Sequence, residues 1–148
     1  MKKYILLFLL LICAFSTKAQ NANENWVSVS IEENKSLYIN VTGLSKFQGN
    51  EIYVWSLEEV NPPFTMEEVS GDIYKVKTYY HINKELSKYG IMQIIYYDKN
   101  NNVLKHYNYS RNTKNPDFLY NFPIIKKTDV YKILEKCQEY IPTSGKQN

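Results

Sequence analysis

The side chains best able to do acid–base or nucleophilic chemistry are two histidines, His81 and His106, and the cysteine Cys137. A thiol–imidazole pair would supply a nucleophile and its base. Cys137, however, falls on the apolar stripe of a predicted helix, where a thiol is shielded from substrate. A histidine pair holds a metal only with further ligands, and no HExxH, CxxC or calcium-loop spacing occurs. The acid pairs Glu58-Glu59 and Glu67-Glu68 flank a proline segment. Glycosidic chemistry needs two carboxylates set across a cleft, so adjacent acids read as solvated charge. There is no GxSxG, phosphate loop or dinucleotide fingerprint. The expectation is a chain with no catalytic set, no metal and no cofactor. The weakest alternative is an unrecognised hydrolase, which requires His81, His106 and acids to gather in one pocket.

The elements that would position these groups are mostly strands. Trp26 to Ile31 alternates, with Val27, Val29 and Ile31 on one face. Leu37, Ile39 and Val41 alternate inward in a second strand, and Glu51 to Leu57 is a third. Asn61-Pro62-Pro63 predicts a loop running to about Gly71, because proline lacks an amide donor. Ile73 to Ile82 is a long fourth strand, and Asn83 to Tyr89 a connection with room for one helical turn. Ile91 to Tyr97 and Val103 to Tyr109 flank an Asp98–Asn102 hairpin turn, rich in residues that tolerate left-handed geometry. Arg111 to Pro123 reads as irregular. Thr128 caps a helix carrying Val130, Ile133, Leu134, Cys137 and Ile141 on a single stripe, with Pro142 ending it. The predicted fold is α+β and mainly β: about six strands in a bent antiparallel sheet, with one C-terminal helix burying its stripe on one face. Ile133, Leu134 and Cys137 are its structural residues, Cys137 as a buried thiol.

Residues 1–19 read as a cleavable secretory signal: Lys2 and Lys3, an apolar run from Tyr4 to Phe15, then Ser16 to Ala19. Ile12 before Cys13 argues against lipidation. The domain spans 20–142, and 143–148 form a loose tail. Of 18 basic residues, Lys2, Lys3 and Lys18 lie in the signal, which leaves 15 against 15 acidic ones. A neutral mature chain gives no footprint for nucleic acid. Its single cysteine allows no internal disulfide. No later segment is long and apolar enough to span a membrane. The expected location is the periplasm, the outer-membrane surface or the extracellular space.

Tyrosine is the compositional outlier, with 14 residues, all but Tyr4 beyond the signal. It suits strands and gives large contact area at low entropy cost. Alternation groups Lys75, Lys77 and Tyr79 on one face of the fourth strand, and Lys105, Tyr107 and Tyr109 on one face of the last. With Trp55 these form the candidate partner-binding set. Alternation within a strand leaves open whether the two trios share a sheet face.

Several motifs recur in order: Trp26 opening the first strand, Tyr38-Ile39-Asn40, Gly49-Asn50-Glu51-Ile52-Tyr53-Val54-Trp55, Tyr96-Tyr97-Asp98 with its Asn turn and Val103, then Pro123 and the helix to Cys137. From Trp26 to Cys137 the chain resembles the surface-adhesin protein E family of small exported bacterial proteins. The resemblance implies a bent antiparallel sheet with a helix on its concave side, dimerisation, and binding of host matrix or plasma proteins. The family's second cysteine, near the end of the fourth strand, has no counterpart in Tyr79 to Asn83. The function expected is thus a non-enzymatic envelope or surface binding protein with a matrix or envelope protein as partner. The alternative is an envelope structural protein that only self-associates.

Overall fold

The computed structural model describes residues 23–109 and 114–142. The signal at 1–19, Cys13, the 143–148 tail and residues 111–113 of the irregular segment lie outside them. Seven strands follow in order: β1 Trp26–Ile31, β2 Lys35–Asn40, β3 Glu51–Met66, β4 Val69–Asn83, β5 Lys88–Tyr97, β6 Val103–Asn108 and β7 Phe122–Pro123. Two helices, α1 Pro116–Leu119 and α2 Asp129–Gln138, complete the set with a 3-10 turn at Leu44–Lys46. Strands β1 to β6 pair antiparallel in sequence order, and β7 pairs with β5 beyond the end of β6. The mainly β architecture with a helix on the sheet is the one the sequence predicts.

Helix α2 forms where its residues require it. The Thr128 hydroxyl accepts from the Tyr131 amide at 3.4 Å, meeting one of the donors a helix start leaves unpaired. Asp129 sits in the first turn, where the helix dipole favours an anion. Val130, Ile133 and Cys137 are buried in one cluster with Leu37, Ile39, Ile52, Val54 and Ile82, and Leu134 and Ile141 pack against it half-buried. Two ties flank this contact: Lys35 reaches Asp129 at 2.6 Å, and Lys132 reaches Glu32 at 3.0 Å. A second, smaller cluster of Val69, Ile73 and Tyr96 lies against Leu104 and Tyr107. Among the described residues no helix is long and apolar enough to cross a membrane.

The structure departs from the sequence reading at five places. The proline segment is not a loop: β3 runs through it to Met66, and only Glu67 and Glu68 turn the chain. The register shifts between Glu59 and Phe64, and a bulge there removes the need for a ladder donor at Pro62 and Pro63. The Asn61 amide donates instead to the Asn34 carbonyl at 3.0 Å. Asn83 to Tyr89 holds a tight turn between extended strands, with no helix. The irregular segment contributes α1 and β7. Ile31 does not join the core: a bulge between Ser28 and Ser30 shifts the pairing of β1, and Ile31 ends 71% exposed. Helix α2 also stops at Gln138, ahead of Pro142. The Asp98 turn forms as expected, its carboxylate accepting from the Asn100 and Asn102 amides at 2.8 Å, with Asn101 at φ 64°.

Candidate functional site

Register decides which side chains share a face, since residues directly opposed across antiparallel strands lie on the same side. Ile52 opposes Ile82 and Val54 opposes Tyr80, which fixes the α2 side. On the other side Tyr53 opposes His81, Trp55 opposes Tyr79, Leu57 opposes Lys77 and Glu59 opposes Lys75. Trp26 joins them, because its neighbour Val27 packs on the α2 side. Lys75, Lys77, Tyr79 and Trp55 are therefore together. Thr78 opposes Ile94, and Ile94 opposes Tyr107, so Lys105, Tyr107 and Tyr109 occupy the α2 side. The two trios lie on opposite faces.

The face away from α2 carries a continuous aromatic row. Trp55 stacks on Tyr79 at 4.8 Å and 19°. Tyr53 lies 6.2 Å from Tyr79 and stacks on His81 at 4.1 Å. The Lys77 ammonium sits 5.2 Å from the Trp26 ring centroid and 5.1 Å from that of Trp55, a cation held between two π faces. It donates to Glu24 Oε1 at 2.6 Å, while Trp26 Nε1 donates to Glu24 Oε2 at 3.1 Å. The bond from Lys77 holds the Glu24 carboxyl below the usual carboxylate range, against some opposition from burial. Lys75 is paired with Glu59 at 2.9 Å. Beside these groups opens a cavity of about 180 Å³, lined by Glu24, Trp26, Leu57, Lys75, Lys77, Tyr97 and Asn101.

One end of the row is closed by the segment after α1. A side-chain carbon on Gly90, which opposes His81, would overlap the Leu119 carbonyl oxygen. Glycine lets this strap lie directly on the strand. The Tyr120 hydroxyl donates to Glu51 at 2.6 Å and lies 3.0 Å from His81 Nε2. Its only proton goes to Glu51, so His81 must carry its proton on Nε2 and donate to the Tyr120 oxygen. His81 Nδ1 is then a bare acceptor, buried with no partner. Burial lowers the His81 pKa, partly countered by Glu51. Burial, then the bond to Glu51, pushes Tyr120 up to about 12. At 3% exposure, His81 holds the strap and is closed to a substrate.

The second trio is arranged differently. Tyr107 donates to Glu68 at 2.9 Å, stacks with Tyr109 at 6.0 Å and meets Tyr96 edge-on. Lys105 lies 5.5 Å over the Tyr107 ring. The Tyr107–Glu68 bond docks the tip of the β3–β4 hairpin against β6. His106 lies opposite Ile95 while His81 lies opposite Gly90, and His106 contacts Gln93 at 3.3 Å. The two histidines do not gather in one pocket as the hydrolase alternative requires. Among the described residues, no three His, Cys, Asp or Glu side chains are grouped to hold a metal. Cys137 is free and buried, and burial pushes its thiol up to about 12.

The sequence reading missed Glu24, Trp26, Tyr53 and Tyr120 as members of this face. Trp26 and Tyr53 were legible in principle, since each alternates with a core residue. Glu24 lies in a polar lead without periodicity, and Tyr120 arrives from a segment with no strand pattern. Comparison of the chain with protein-family models, curated proteins and solved structures finds no match.

Proposed function

We propose that this chain is an exported, non-enzymatic binding protein of the bacterial envelope or surface, adhesin-like in character, which docks a protein partner on the sheet face away from α2. The observation that carries the reading is the row of rings from Trp26 through Trp55, Tyr79 and Tyr53, with Lys77 set between the two indoles. Tryptophan and tyrosine are over-represented among the side chains that dominate binding energy at protein interfaces. The apolar leader and the order of motifs shared with the surface-adhesin protein E family support placement outside the cytoplasm and a matrix or envelope protein as partner. Lys105, Tyr107 and Tyr109 lie on the opposite face, Tyr107 tied to the hairpin tip through Glu68, and fall outside this binding set.

Immobilised matrix proteins and purified envelope proteins provide the test. The parent binds one of them saturably, and Trp55→Ala or Tyr79→Ala each weakens that binding by about 2 kcal/mol or more. Equal binding by parent and both variants removes the face from the proposal. Light scattering separates the self-associating alternative: a stable dimer broken by Trp55→Ala, with no other ligand, assigns the face to a second copy.

A further inference from the structure

We infer that Lys77 Nζ and Trp26 Nε1 form a recognition site for a carboxylate, that Glu24 fills it from within the chain, and that the partner on this face enters through an acidic side chain that displaces Glu24. The inference rests on the docking face proposed above and adds the chemistry of its ligand.

Both oxygens of Glu24 are gripped, one by an ammonium at 2.6 Å and the other by an indole N–H at 3.1 Å. The two donors are thus spaced for the two oxygens of one carboxylate. The Lys77 side chain keeps only 18% exposure, and a charge on a largely covered side chain is stabilised by an anion beside it. The neighbouring Lys75 already has Glu59, so the demand at Lys77 falls on whichever carboxylate occupies the fork. Glu24 is the more replaceable member of its pair, with its side chain 39% exposed and the 180 Å³ cavity open alongside.

The backbone on either side of Glu24 is pinned. Thr42 Oγ1 donates to the Asn23 carbonyl at 2.6 Å, and the Asn25 amide donates to Asn40 Oδ1 at 3.1 Å. Vacating the fork therefore needs a rotation of one side chain and leaves β1 in place. A tethered carboxylate competes at an effective concentration of about millimolar or above. A free small acid is accordingly a poor ligand, whereas an acidic peptide that also lies on Trp55 and Tyr79 gains contacts Glu24 does not make. The fork selects that partner while the chain's own acid keeps the unoccupied site neutral.

Trp26 and Trp55 are the only tryptophans in the chain, so their emission reports on the fork directly. The probe is an acetylated hexaglutamate peptide titrated at physiological salt, with hexalysine as the charge control. The expected result is that Glu24→Ala binds hexaglutamate about ten-fold more tightly than the parent, with hexalysine silent. Adding Lys77→Met to Glu24→Ala removes the gain. Glu24→Gln, which keeps the shape, gives a smaller gain in the same direction and stands in if the alanine variant is unstable. Equal affinity in parent and Glu24 variants, or a gain that survives Lys77→Met, overturns the inference. If Trp55→Ala still weakens capture of the protein partner in that case, the docking face stands and the carboxylate site alone falls.

Discussion

His81 is the residue whose environment sets a measurable property of the fold. It is stacked on Tyr53, donates to Tyr120 and hides a bare Nδ1. Its folded pKa is lowered from the ordinary histidine value, chiefly by burial. The unfolded chain therefore binds a proton first as pH falls, and stability drops through the window beginning near pH ~6.5 and running down to the folded pKa. Glu51, held below the usual carboxylate range mainly by the Tyr120 hydrogen bond, adds a separate loss below pH ~4.3. The expectation is a melting temperature that falls between pH 7 and pH 5 in the parent. His81→Phe keeps the stack on Tyr53 and flattens that interval; a parent curve already flat there refutes the assignment. Little of this was legible in the sequence. His81 could be placed on a strand, but its Tyr120 partner is 39 residues away and joins it through a segment without periodicity.

After β6 the chain passes through α1, crosses β5 at Gly90 on the face away from α2, pairs as β7 at the β5 edge, and only then enters α2 on the other side. Gly90→Ala forces the Leu119 carbonyl off the strand. The expected cost is about 1–3 kcal/mol, read by denaturant melting, together with faster hydrogen exchange of the Ile124 amide. That amide donates to the Ser87 carbonyl at 2.8 Å. A neutral substitution would mean the strap is not seated there. Element types were legible where one period dominates. Thr128 and the α2 stripe announce a helix, and Asp98 to Asn102 a turn. Pro62 and Pro63 misled because the rule against proline in strands concerns ladder donors, and a bulge suspends the ladder. The β5 start at Lys88 to Gly90 was hidden because its partner β7 is a two-residue strand built around Pro123. The faces of the two trios were unreadable for a related reason: alternation orders a strand internally, while its parity with a neighbour depends on pairing register.

At the scale of the whole molecule the larger core spans β1 to β4 and α2, so its loss is global. Ile133 is fully buried at its centre, and Ile133→Ala is expected to destabilise the protein by about 2–5 kcal/mol. Against a total of about 5–15 kcal/mol for a typical domain, that shifts the whole urea transition and leaves it single. A biphasic curve would assign α2 to a separate unit. The packing of α2 on the sheet was legible for this reason: one stripe and one sheet have only each other to bury. The ties around α2 carry a further consequence, in time. Lys35 meets Asp129 across 94 positions of chain, and Lys132 meets Glu32 across 100. As the polypeptide is made, Leu37, Ile39 and Ile52 emerge well ahead of the helix that covers them. Until Ile133 and Cys137 have been added, the growing chain has strands to pair and nothing to seal them. Closure of this core is thereby deferred until α2 has been made, and its pace is set by a long-range search that brings together segments about a hundred positions apart.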